Sequence, residues 1–167
     1  GASRSSCLNN DEEMGEGWSD FFGLVVTQQE GDIGENPRGI GTYVIGQPVG
    51  SRGIRRSPYS INRSVNDQTM NDIRGTGTAP HPVGEIWAGV LWDVYWLFID
   101  QYGYDGTWKN EDAGNHKALS LVMAGLKLQP CSPGFIEGRD AIIEADRMMF
   151  DGIHECLLWN AFAARGI

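Results

Sequence analysis

The sequence predicts a mainly α-helical domain with a short β excursion after its first helix. Three observations lead there. The run from Pro82 to about Tyr102 is apolar nearly all round a helical wheel, as a central core helix is. Four other segments carry apolar residues at helical spacing. One long stretch, Glu30 to Pro80, is crowded with Gly, Pro, Asn, Ser and Arg and shows no such period. With 167 residues and no internal repeat, the chain suits one domain with a real core.

Residues Gly1 to Asn10 are polar and loop-like. A first helix is expected from about Met14 to Gln29, where Trp18, Phe21, Phe22 and Val25 fall at i, i+3, i+4 and i+7. Glu16 and Asp20 are four apart and project from one side of it. Acids near a helix start complement the macrodipole and cap free N–H groups. On a half-buried face the same pair would also require a cationic partner, such as a metal ion. Gly15 and Gly17 are poor helix formers, each costing about 1 kcal/mol against Ala, so they point to close approach of another group.

Within Glu30 to Pro80, the segment Gly41-Thr42-Tyr43-Val44-Ile45-Gly46 is a strand candidate. A loop this long is either functional, walling a cleft, or a surface excursion. The second helix opens with Pro82 in its first turn and stops at Gly103. Gly103 to Asn115 is a turn-rich linker. A third helix is expected over His116 to Leu128, with Ala118, Leu121, Val122 and Leu126 inward. Pro130 and Pro133 break the chain. A fourth helix spans about Phe135 to Met149, with Ile136, Ala141, Ile142, Ala145 and Met149 inward, and a fifth about Ile153 to Ala164, ending near Gly166.

A hydrophobic content of 41 % and an aromatic content of 10 % place the chain among globular proteins rather than disordered ones. The formal net charge of -9 argues against a nucleic-acid or anionic-membrane partner, which needs a basic footprint. No apolar run reaches the length of a membrane span. Gly1-Ala2-Ser3-Arg4 has no apolar signal core, so the start reads as a processed or cloned boundary of something longer. Of the three cysteines, Cys131 and Cys156 bracket a helix-like segment of 24 residues. A bridge between them would stabilise by about 3 kcal/mol in the chain-entropy model. The alternative is three free thiols; Cys7 could also pair outside the chain.

There are three histidines, His81, His116 and His154, and none has a second ligand at i+4. His154-Glu155 leads into Cys156-Leu157-Leu158, so it is not an HExxH zinc motif. G-x-S-x-G, Walker A and CxxC patterns are all absent. His81, just ahead of the core helix, is where a rigid mount can point a side chain into a cleft. Arg52, Arg55 and Arg56 cluster in Ser51 to Ser60, either as a solvated loop or as forks for a carbonyl or carboxylate.

Several stretches, taken in order, resemble the fungalysin metallopeptidases. Met14-Gly15-Glu16-Gly17-Trp18-Ser19-Asp20-Phe21-Phe22 is similar to their third-ligand helix, and to the E-x-x-x-D segment of thermolysin-like enzymes. Arg55-Arg56-Ser57-Pro58-Tyr59-Ser60 resembles their R-x-x-P-Y-S stretch, and His81-Pro82-Val83-Gly84-Glu85-Ile86-Trp87-Ala88 their H-x-x-G-x-x-W-A helix start. Leu126-Lys127-Leu128-Gln129-Pro130-Cys131 and Gly138-Arg139-Asp140-Ala141-Ile142 are similar to their K-L-Q-P-C and A-R-D-A-I segments. Cys156 to Gly166 resembles their chain terminus.

The resemblance implies the C-terminal helical lobe, residues 1–167, of a thermolysin-like (gluzincin) peptidase whose N-terminal HExxH lobe is absent from this chain. It implies a secreted, extracellular zinc endopeptidase, made as a zymogen, hydrolysing peptide bonds by zinc-activated water. Glu16 maps onto the third zinc ligand, Asp20 onto the acid that orients a His ligand, and His81 onto the oxyanion-stabilising histidine. Arg55 or Arg56 maps onto the residue that binds a substrate carbonyl. The implied partners are a protein or peptide substrate, the N-terminal half and a propeptide. Lacking HExxH, the piece is expected to be inactive alone, since a catalytic zinc needs three protein ligands. The alternative function is a non-catalytic helical module that binds a protein partner or propeptide. A carboxylate-pair hydrolase is disfavoured, because acids one helical turn apart do not face a sugar from both sides.

Overall fold

A computed structural model of the chain describes residue 12, residues 14–75 and residues 79–167. Its helices are α1 (Gly15–Val26), α2 (Pro80–Tyr102), α3 (Gly114–Leu128), α4 (Phe135–Phe150) and α5 (Glu155–Ala164), with a 3-10 helix at Met70–Gly75 ahead of α2. The chain is therefore mainly helical, as the periodicity predicts. Helix α2 is the hub, with α1, α3 and α5 against it and α4 joined through α3 and α5. Its residues Val83 to Trp96 are all buried. Extended Ala79, with Pro80 in the first turn, starts it, and Gly103 at φ 78° stops it. No helix among the described residues is long and apolar enough to cross a membrane.

The core is largely aromatic. Trp18 of α1 meets Trp87 of α2 edge-on at 5.4 Å between ring centres, and Phe21 meets Tyr95 at 6.0 Å. Trp87 also packs on Phe135 of α4 and Phe162 of α5, so one indole joins four helices. The close approach signalled by the glycines of α1 is found at Gly17. A Cβ there would lie 2.2 Å from the Gly84 carbonyl oxygen of α2. The two helices cross backbone to backbone because neither has a side chain at the crossing.

Two local expectations are corrected. Gly41 to Gly46 is a turn, not a strand; Gly41 and Gly46 both have positive φ, and Tyr43 and Val44 are solvent-exposed. Among the described residues, pairing in this region consists of isolated bridges, Arg38 with Tyr59 and Ile40 with Gly53. On α4, Ala141, Ile142 and Ala145 point inward, but Ile136 and Met149 are exposed, and Phe135 and Ile143 take the core positions. The inward stripe also contains buried Asp146, which the apolar pattern passes over.

The expected Cys131–Cys156 bridge is likewise corrected: Cys156 is a free, exposed thiol on the first turn of α5. Cys7 lies outside the described residues.

Candidate functional site

The crossing of α1 and α2 at Gly17 and Gly84 brings the starts of both helices together. Glu16 lies in the first turn of α1 and His81 in the first turn of α2. His81 Nε2 stands 3.6 Å from Glu16 Oε2. Both side chains open to solvent, Glu16 at 39 % and His81 at 63 % exposure. Glu16 thus lies at a surface rather than inside the lobe. Asp20, one turn further along α1, is 4 % exposed and faces the same side.

Arg55 comes from the irregular stretch and closes the group. Its Nε donates to Asp20 Oδ2 at 2.6 Å and its Nη2 to Asp20 Oδ1 at 2.7 Å, a two-pronged pair. The same Nη2 reaches Glu16 Oε2 at 3.3 Å. Tyr59 donates its hydroxyl to Asp20 Oδ2. The hydrogen bond to Asp20 raises the Arg55 pKa, with the charges of Asp20 and Glu16 adding to it. Burial, with the Asp20 charge, holds Tyr59 well above its ordinary range, so it remains a donor. Arg55 Nη1 makes no hydrogen bond among the described residues and belongs to a residue lining the adjoining cleft.

That cleft holds about 280 Å³ and is lined by Arg52, Arg55, Arg56, His81, Pro82 and Glu85, among others. Its cationic groups suit it to carbonyl or carboxylate oxygens. The Arg56 side chain is exposed, while its main chain is fixed by Glu85. Glu85 is buried on α2 one turn beyond His81 and accepts from the amides of Arg56 (3.0 Å) and Ser57 (2.9 Å) and from Gln68 Nε2 (3.0 Å). A larger depression, about 560 Å³ beside Met70 and Gly166, is lined by none of the expected site residues.

Glu16, Asp20, His81 and Arg55 therefore converge, with Arg56 at the rim. The other two histidines lie apart: His154 is buried against Asp146 and Tyr102, and His116 is on α3. Among the described residues, no group of three His, Cys, Asp or Glu could hold a metal. Glu16 is a single carboxylate and would need further ligands from outside the described residues to hold such an ion. Sequence reasoning passed over Glu85 and Tyr59. An acid in an apolar stretch of the helix, four residues after His81, was the available signal for Glu85.

The family model described as fungalysin metallopeptidase (M36) matches residues 1–167. The chain is 40 % identical over 176 residues to an extracellular metalloproteinase, MEP, of Pyricularia oryzae. It is 39 % identical over 177 residues to extracellular metalloproteinase 2 of Phaeosphaeria nodorum, and 37 % over 177 to an extracellular metalloproteinase of Aspergillus fumigatus. Each match covers 100 % of this chain and 27 % of the relative, so the chain spans about a quarter of the length of these proteins. A family match over residues 1–167, with relatives 37–40 % identical across the whole chain, identifies the chain as a member of the fungalysin metallopeptidase family.

Proposed function

We propose that residues 1–167 are the C-terminal helical lobe of a secreted, extracellular zinc endopeptidase, completed by an N-terminal half and held inactive by a propeptide before maturation. The observation that supports this best is the convergence of Glu16, His81 and Arg55, with Glu16 left partly open to solvent. A ligand carboxylate must face outward to meet an ion whose other ligands come from elsewhere. In this reading Glu16 supplies one oxygen to zinc, and the N-terminal half supplies the rest. The metal, when bound, contributes Lewis acidity and a more acidic water.

The remaining roles belong to this chain's own residues. His81, exposed at the rim, donates a hydrogen bond to the oxyanion that forms when a peptide carbonyl is attacked; a donor of that kind is worth about 3 kcal/mol. Arg55 is held from behind by Asp20 and offers Nη1 to a substrate main-chain carbonyl. Because its other nitrogens are already bound, little side-chain freedom is lost when substrate docks. Asp20 fixes Arg55 and keeps lone pairs for a histidine ligand of the N-terminal half. Arg56 gives the rim positive charge and is the lesser candidate for direct contact.

The test uses the complete protein. Glu16→Gln is expected to abolish both bound zinc, measured by elemental analysis, and casein hydrolysis. Hydrolysis and zinc content equal to the parent protein would overturn the assignment. Binding to a protein partner that ignores metal removal, with no hydrolysis in the parent, would favour a non-catalytic module instead.

A further inference from the structure

We propose that Glu85 is a positioning residue for the cleft: its buried carboxylate sets the main chain at Arg56 and Ser57, and through it the aim of the Arg55 guanidinium beside His81. The inference rests on the reading above. Burying a carboxylate is costly unless it is fully hydrogen-bonded, and α2 is otherwise apolar around Glu85. Its hydrogen-bond partners among the described residues are two successive backbone amides, Arg56 and Ser57, and the Gln68 side chain. Two adjacent peptide groups aimed at one carboxylate fix both the position and the tilt of that stretch of chain. The residue just before them is Arg55, whose side chain crosses to Asp20 and Glu16 on α1.

A closed circuit results. It runs from Glu16 through Arg55 to the 56–57 amides, then to Glu85, and back one helical turn to His81, which touches Glu16. A purely structural role explains this placement poorly, because other groups already fasten the rest of the loop. Arg165 holds Ser60, Asn66 and Gln68, and the Asn66 side chain holds the Pro58 carbonyl. Glu85 acts on the short piece between those fastenings and Arg55.

The test is kinetic and is made in the complete enzyme. Glu85→Gln keeps the size but turns an amide nitrogen toward groups that are all donors. The expected result is a KM for a peptide substrate raised about tenfold, with kcat changed less than about threefold and zinc content unchanged. Arg55→Ala is expected to raise KM by at least as much. In that background Glu85→Gln should add less than about twofold, since it acts through Arg55. Glu85→Asp, which keeps the charge and falls one methylene short, should repeat the effect and serves if the Gln variant does not fold. An unchanged KM in folded Glu85 variants, or a loss that multiplies fully with that of Arg55→Ala, would overturn the inference. If Arg55→Ala itself leaves KM unchanged, the substrate role of Arg55 falls, and with it the inference; zinc loss in Glu16→Gln still decides the metal assignment separately.

Discussion

Asp20 shows how much one side chain can be asked to hold. It is buried, and it takes two hydrogen bonds from Arg55 and one from Tyr59. Removing one member of a buried ion pair strands the other, which typically costs 3–5 kcal/mol rather than the pair's modest net worth. Asp20→Asn keeps the shape and removes the charge, so a loss of about 3 kcal/mol is expected in urea unfolding. Asp20→Leu with Arg55→Met should recover part of that loss, because no charge is then left unpaired. Gly17 makes a second residue-level case. A methyl there would need the space of the Gly84 carbonyl, and backbone cannot swing aside as a side-chain tip can. Gly17→Ala should therefore destabilise by about 2 kcal/mol or more despite the better helix propensity of Ala, seen as a lower Tm.

At the scale of elements, the linker between α2 and α3 is organised by a single carboxylate. Asp105 accepts from the amides of Thr107, Lys109 and Asn110 and from the Thr107 hydroxyl. Those bonds, led by the Asn110 amide, bring its pKa down to about 2. A depressed carboxylate pKa stabilises the fold above the ordinary range near 3.9 and loses that contribution as pH falls toward about 2. The protection factors of the Thr107 and Asn110 linker amides, which are corrected for the intrinsic pH dependence of exchange, should therefore fall between pH 4 and 2, and Asp105→Asn should show the lower protection already at neutral pH. Hydrogen exchange followed by NMR checks both. Such a linker was legible in sequence only as turn-rich, because Asp105 works through neighbours rather than through any periodicity. The helices were legible for the opposite reason: burial on one face leaves a repeat of 3.6 residues. That reading failed on α4, where Ile136 and Met149 lie outward, because the inward stripe includes Asp146, satisfied by His154. It also failed at Gly41–Gly46, where β-forming side chains sit between glycines that turn the chain. Glu16 and Asp20 were legible as a pair from their spacing, whereas Glu85 and Tyr59 join the site only through contacts 28 to 39 residues away.

For the molecule as a whole, the helices alone do not place the long irregular stretch; buried polar groups do. Arg165, 1 % exposed after the end of α5, pairs with Asp93 of α2 through Nε and Nη2 at 2.8 and 2.9 Å. Its remaining donors go to the Ser60 carbonyl, the Asn66 side chain and carbonyl, and the Gln68 carbonyl. One guanidinium thus ties residues 60–68 to the central helix from the far end of the chain. Arg63 adds a second, half-exposed contact to Asp93, and the Asp93 carboxylate keeps both cations compatible. Loss of Arg165 leaves buried Asp93 with only half-exposed Arg63 as a cation and takes the guanidinium donors away from the Ser60, Asn66 and Gln68 carbonyls in the interior. Arg165→Met is therefore expected to cost about 4 kcal/mol, measured by urea unfolding of the complete protein. Its effect should differ in kind from that of Glu85→Gln. Arg165 lies outside the cleft lining, so the folded fraction of Arg165→Met should keep the parent KM while its unfolding midpoint drops. A parent-like midpoint with a raised KM would reverse these assignments, making the C-terminal fastening part of the cleft and Glu85 merely one of its supports.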